Sequence, residues 1–133
     1  MSSGTGQGPP RRMQARVWLV LWLPVLAWMG LIFYLSARPD FPLPDTGWFD
    51  LLISSGAHAF VFGVLALLLA RALGERPHAR LVAFGLAMLY ALSDEFHQTF
   101  VPGRVADPWD LLFDALGAAA GVGLWAWWQR VRR

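Results

Sequence analysis

The sequence predicts an all-α fold: an integral membrane four-helix antiparallel bundle with both termini in the cytoplasm. Three observations lead to this prediction, namely the apolar composition, four long apolar runs and the placement of the arginines. Of the 133 residues, 56% are hydrophobic and only 15% are charged, whereas soluble domains are close to a quarter charged. The chain therefore has too few charged side chains for an ordinary water-exposed surface.

The four apolar runs are long enough to cross a hydrocarbon core of about 30 Å. The first run, Val17 to Leu35, has 19 residues without a charge and is too long for the apolar region of a cleaved signal peptide. Turn residues, chiefly Pro and Gly, separate the runs. We expect the spans at about 17–35, 51–73, 81–100 and 111–128, within a transmembrane domain of residues 17–133. Residues 1–16 are rich in Gly, Ser and Pro, which predicts a disordered cytoplasmic tail.

The arginines predict the orientation of the bundle. All 11 basic residues are Arg, and only Arg38 and Arg104 lie in the first and third loops. The other nine lie in the two tails, the second loop or next to it: Arg11, Arg12, Arg16, Arg71, Arg76, Arg80, Arg130, Arg132 and Arg133. Because Arg-rich loops stay in the cytoplasm, we expect a multi-pass protein with both termini inside. The net charge of +2 is then a topology signal, and we expect no nucleic-acid partner.

Polar side chains enter three of the spans at a similar depth. His58 and Asp114 lie ~6 Å and ~8 Å to the outer side of their span midpoints, and residues 94–98 lie ~6–12 Å to the same side. An ionisable side chain costs at least about 2.5 kcal/mol at the bilayer centre, so this layer predicts a functional, outward-facing polar pocket. Its candidate ligand-binding residues are His58, Asp94, Glu95, Gln98, Arg104, Asp107, Asp110 and Asp114.

Several of these residues also have a purely structural interpretation, and the sequence leaves it open. A lone buried histidine such as His58 is often a hydrogen-bonded packing residue. Asp107 and Asp110 could be acids that favour the start of a helix. The pair Gly117 and Gly121 is typical of close helix packing. Cysteine is absent, which excludes disulfides, thiolate metal sites and a cysteine nucleophile.

Two segments carry a family resemblance. The segment SDEFHQTFVPGRVADPWDLLFDALGAAAG, residues 93–121, resembles the signature of the VanZ-like family of small bacterial membrane proteins, and residues 54–73 resemble the histidine helix of that family. Asp114 stands where an Asn is usual. The family takes its name from a protein that raises resistance to teicoplanin, so the resemblance implies work on the cell envelope at the outer leaflet of the bacterial cytoplasmic membrane. The positions that match the family motif are His58, Glu95, Gln98, Arg104 and Asp110.

Two hypotheses for the function follow. In the first, the pocket binds the head group of a membrane lipid, a lipid-linked cell-wall precursor or a lipoglycopeptide antibiotic, and Arg104 is the anion ligand. The alternative is an intramembrane acid–base or metal-assisted hydrolase or transferase acting on an envelope lipid, with Glu95, Asp94 and His58 as catalytic groups. A transporter or proton relay fits less well because the cytoplasmic halves of the spans are almost wholly apolar. The first two hypotheses allow a monomer or a homo-oligomer.

The sequence indicates no cofactor. One version of the enzyme hypothesis needs a divalent metal, held by His58, His97 and carboxylates. However, the sequence contains no H-E-x-x-H motif and no fixed ligand spacing. We therefore expect no metal ligands and no cofactor, and a divalent metal stays the alternative.

Overall fold

The structure is a bundle of four helices. The computed structural model describes residues 11–39 and 48–133. For residues 48–53 it describes the backbone but not the side chains. The helices are α1 (Arg11–Ser36), α2 (Trp48–Leu73), α3 (Ala79–Gln98) and α4 (Pro108–Val131). No strand occurs within the described ranges. The predicted all-α, four-helix architecture is confirmed.

The helix bounds differ from the predicted spans mainly at the start of α1. This helix begins at Arg11, so residues 11–16 are helical where a disordered tail was predicted, and that part of the prediction is wrong. Arg, Met, Gln and Ala are good helix formers, and extending an existing helix is far less costly than nucleating one. Residues 1–10 of the predicted tail lie outside the described residues.

The outer surface of the bundle is apolar. Large side chains such as Leu23, Leu89 and Leu116 are 63%, 64% and 57% exposed, which in water would be unfavourable over so much surface. By length and composition, three described segments could cross a membrane: Arg11–Ser36, Ser54–Leu73 and Pro108–Val131. Helix α3 has only 20 residues, and its polar C-terminal part lowers its hydropathy. These features support a membrane protein.

Helices α2 and α4 approach each other backbone to backbone. A Cβ atom added to Gly117 would lie 1.9 Å from the carbonyl oxygen of Ala59, and one added to Gly121 would lie 2.0 Å from that of Gly63. Only glycine fits at these two positions of α4, so the packing interpretation of the Gly-xxx-Gly pair is confirmed.

Polar clamps tie α1 to the other helices. The indole Nε1 of Trp28 donates to the carbonyl oxygen of Val61 at 2.8 Å, and the hydroxyl of Tyr90 donates to that of Met29 at 2.6 Å. Alanines with fully buried side chains line the packed face of α3 at helical spacing: Ala83, Ala87 and Ala91. These contacts position the ends of α1 and α3 that carry the polar residues.

The Arg-rich segments share one end of the bundle. Arg133 Nη2 lies 2.8 Å from Glu75 Oε1, which brings the C-terminal end of α4 next to the α2–α3 connection. Met13 and Gln14 at the start of α1 share a groove with Arg76. This arrangement fits an antiparallel bundle whose Arg-rich segments lie at the same end. That this Arg-rich end lies in the cytoplasm stays a prediction.

Candidate functional site

A partly open cavity of about 220 Å³ lies towards the opposite end of the bundle. It lies between the C-terminal ends of α1 and α3, the N-terminal half of α2 and the start of α4. Five of the eight predicted ligand-binding residues line it: His58, Asp94, Gln98, Arg104 and Asp110. The rest of the wall is mostly apolar and includes Ile32, Leu35, Val61, Phe62 and Val105. The cavity therefore combines a polar lining with a hydrocarbon-like wall.

His58 is held between two acids of α4. Its Nδ1 lies 3.1 Å from Asp114 Oδ1, and its Nε2 lies 3.7 Å from Asp110 Oδ2. Asp114 is only 1% exposed, and its second oxygen, Oδ2, has no hydrogen-bond partner among the described residues. Asp114 thus lies behind the cavity wall and orients the imidazole, whereas His58 and Asp110 reach the cavity.

Glu95 also lies behind the wall. Its side chain is 7% exposed, and its Oε1 has no partner within the described part of the chain. One ligand atom from each of Glu95, His58 and Asp110 falls within 4.8 Å of the other two. Three helices therefore bring two carboxylates and an imidazole to one point.

Asp94 is fixed by two donors. Its Oδ2 accepts from Ser36 Oγ at 2.8 Å and from Gln98 Nε2 at 2.9 Å. All three side chains are buried, so this carboxylate joins α3 to the end of α1. The sequence analysis missed Ser36, although a signal existed: it is the first polar residue after the apolar run of α1, at the end of the helix where Asp94 also lies.

Arg104 extends from the α3–α4 connection to the cavity. The preceding Gly103 has φ +83°, a left-handed conformation that glycine adopts without strain. The Arg104 Nε donates to the carbonyl oxygen of Arg38 at 3.1 Å. This contact links the connection to the end of α1 and fixes the guanidinium at the cavity wall.

Asp107 and His97 do not join the cavity lining. Asp107 caps α4, because its Oδ1 accepts from the backbone nitrogen of Trp109 at 2.9 Å, so the helix-start interpretation is confirmed for this residue. The His97 ring packs against Phe33 with ring centroids 4.5 Å apart. In the described structure His97 is therefore not among the side chains that meet at His58. The metal alternative had required His97 as a ligand beside His58.

The comparisons with known proteins identify the family of the chain. The model of the VanZ/LLP1 family matches residues 20–129. The chain belongs to the VanZ/LLP1 family. No curated protein and no solved structure matches it. The matched range contains every residue of the polar site, from Ser36 to Asp114.

The site of this VanZ/LLP1 protein offers three kinds of chemistry. Arg104 supplies a fork-shaped cation suited to phosphate or carboxylate. Asp94, with Ser36 and Gln98, supplies a rigid set of hydrogen-bonding groups. The imidazole of His58, between carboxylates, supplies a group that can carry a proton or ligate a metal.

Proposed function

We propose that this VanZ/LLP1 protein binds the anionic head group of an envelope lipid in the cavity, which faces the outer side of the bacterial cytoplasmic membrane. The observation that carries the proposal is the combination of Arg104 with an apolar wall in one cavity. A lipid presents the matching pair, since an anionic group and a hydrocarbon chain are joined in one molecule. In this arrangement all four helices, α3 included, lie in the membrane.

Arg104 is the anion ligand in this proposal. Its Nε donates to the carbonyl oxygen of Arg38, and the residue lines the cavity. Gln98 and Asp110 line the same cavity and would hydrogen-bond hydroxyl or amide groups of the head group. Arg is well suited to this role because its charge persists at every physiological pH.

The size of the cavity limits what it holds. About 220 Å³ is less than the usual range of drug-sized pockets, roughly 300–1,000 Å³. A single phosphate or carboxylate with its nearest sugar or glycerol atoms fits, whereas a whole lipid does not. The acyl chain would then lie along the exposed apolar side chains of the bundle, in the bilayer.

This proposal includes lipid-linked cell-wall precursors and lipoglycopeptides, which also join a polar group to a hydrocarbon chain. A role in teicoplanin resistance would follow if the cavity binds the antibiotic or the cell-wall precursor at the outer leaflet, so that the two bind each other less. The resistance role is thus a consequence of head-group binding, and the same substitutions test both.

The experiment is lipid co-purification from wild-type protein and two arginine variants, followed by mass spectrometry. Arg104→Gln is expected to lose most of the bound anionic lipid while α-helix content stays unchanged. Arg38→Gln is the matched control, since the Arg38 side chain is exposed, lies over the Tyr34 ring and is not part of the cavity lining. Equal lipid content in the Arg104 variant and wild type would overturn the proposal.

Acid–base catalysis on an envelope lipid is the second candidate. The observation that favours it is the buried, unpartnered Oε1 of Glu95 and the closeness of its carboxylate to His58, because carboxyl and imidazole groups are the usual general acids and bases. Asp94 supports it less, since two donors hold its carboxylate in place. Incubation of the purified protein with labelled anionic lipid would test it: a product lost in Glu95→Gln supports catalysis, and unchanged lipid argues for binding only.

A further inference from the structure

The side chains of His58, Glu95 and Asp110 bring one imidazole and two carboxylates close together. One ligand atom from each lies within 4.8 Å of the others. The three residues come from α2, α3 and the first turn of α4, so the packing of three helices creates the cluster. Further features of the same residues indicate that the cluster holds a ligand.

The first such observation is the unpartnered oxygen of Glu95. Its side chain is 7% exposed, and Oε1 has no hydrogen-bond partner among the described residues. A buried carboxylate oxygen without a partner carries a large desolvation cost. A cation bound at that point would remove this cost.

The second observation is the orientation of His58. Its Nδ1 lies 3.1 Å from Asp114 Oδ1, the arrangement in which Nδ1 carries a proton and donates it to the carboxylate. In the neutral ring Nε2 is then an acceptor, yet it faces another acceptor, Asp110 Oδ2, at 3.7 Å. A proton or a metal ion between these two acceptors would make their approach favourable.

The surrounding residues match the known environment of metal-binding histidines. Such histidines almost always donate their other ring N–H to a carboxylate or carbonyl, which fixes the tautomer and the ring. Asp114 supplies this carboxylate and is 1% exposed. Protein ligands about 2.1 Å from Zn²⁺ lie roughly 3.4 Å apart in a tetrahedral site, so side-chain movements of about 1 Å would close the cluster around an ion.

We infer that His58, Glu95 and Asp110 bind one divalent transition-metal cation of the Zn²⁺ class. One nitrogen and two carboxylate oxygens suit Zn²⁺ better than Mg²⁺, which prefers all-oxygen, octahedral coordination. Three protein ligands leave a coordination position for water or an anionic oxygen. His58 and Asp110 both line the cavity that Arg104 lines, so this position faces the cavity.

The inference stands apart from the proposed function, because the metal ligands and Arg104 are different residues. Arg104→Gln is expected to lose lipid and retain the metal. If that variant keeps its lipid and wild type binds the metal, head-group binding at Arg104 fails and the metal site stands. If wild type binds no metal but Arg104→Gln loses its lipid, the metal site fails and head-group binding stands.

The test is metal titration of the full-length protein in mild detergent after removal of bound ions with EDTA. Wild type is expected to bind about one equivalent of Zn²⁺ and to bind Mg²⁺ at least tenfold more weakly. His58→Gln, Glu95→Gln and Asp110→Asn should each weaken Zn²⁺ binding by at least about tenfold. The matched controls, His78→Gln and Glu75→Gln, change exposed residues at the other end of the bundle and should bind Zn²⁺ as wild type does.

Two further measurements keep the test decisive if a ligand variant fails to fold. Asp114→Asn retains an acceptor for Nδ1 and is expected to weaken Zn²⁺ binding about tenfold, as changes behind metal ligands do. Co²⁺ bound to wild type should show the absorption of a low-symmetry nitrogen–oxygen site. Less than a tenth of an equivalent of Zn²⁺ in wild type, or unchanged binding in a folded His58→Gln protein, would overturn the inference.

Discussion

His58 Nδ1 and Asp114 Oδ1 lie 3.1 Å apart across the interface of α2 and α4. The pair lies beside a close approach of these two helices. There Gly117, which has no side chain, lets the backbone of α4 contact the backbone of α2 at Ala59. Tight packing thus fixes the distance between the two helices, and the hydrogen bond fixes the direction of the imidazole. The orientation of His58 towards the cavity is therefore a property of the fold.

Replacement of Asp114 tests how much this bond contributes to stability. Asp114→Asn keeps an oxygen that can accept from Nδ1, so we expect the free energy of unfolding to change by less than about 1 kcal/mol. Asp114→Ala leaves a buried donor without a partner and opens a small void, which should cost about 2 kcal/mol. Unfolding in detergent micelles measures both. Equal loss in the two variants would show that charge, and not hydrogen bonding, matters at this position.

Glycine substitutions test the contact between α2 and α4. A Cβ on Gly117 would lie 1.9 Å from the Ala59 carbonyl oxygen, whereas a Cβ on Gly123 of the same helix meets nothing within 4 Å. Gly117→Ala should therefore push the helices apart and cost about 1–3 kcal/mol. Gly123→Ala is the matched control and should be neutral or slightly stabilising, since alanine favours the helix. Similar melting temperatures for both variants would contradict the close approach.

Much of this arrangement could be predicted from the sequence. Long, mainly apolar runs predict the number of helices well, because the bilayer requires all backbone groups to be hydrogen-bonded within a segment. The helical spacing of Asp110, Asp114, Gly117 and Gly121 also places them on one face of α4. These features depend on local periodicity, which the sequence displays directly.

The contacts between helices could not be predicted in the same way. The sequence made Glu95 and Asp107 candidate ligand-binding residues, but Glu95 lies behind the cavity wall and Asp107 caps α4. His97 is close in sequence to Glu95, yet it faces Phe33 of α1. Which side chains meet depends on the rotation and tilt of neighbouring helices. The residue spacing along a single helix does not determine either of them.

Ser36 tests whether Asp94 connects α1 to α3. Ser36→Ala removes one of the two donors to Asp94 Oδ2 and should cost about 1 kcal/mol, the scale of polar contacts between membrane helices. Ser93→Ala is the control, because the exposed Ser93 hydroxyl donates to the Tyr90 carbonyl oxygen of the same helix, α3. The Ser36 variant should also make the end of α1 more susceptible to protease. No difference between the two serine variants would show that the contact adds no stability.

The absence of cysteine allows a direct test of membrane orientation with introduced cysteines. Glu75 in the α2–α3 connection and Ala106 in the α3–α4 connection are both exposed, and they lie at opposite ends of the bundle. Arg-rich connections stay in the cytoplasm, so a membrane-impermeant maleimide should label Ala106→Cys in intact cells and Glu75→Cys only after lysis. Arg132→Cys should behave like Glu75→Cys, because Arg133 at the same end pairs with Glu75. The opposite pattern would place the cavity at the cytoplasmic face, and an outer-leaflet head group could then no longer be its ligand.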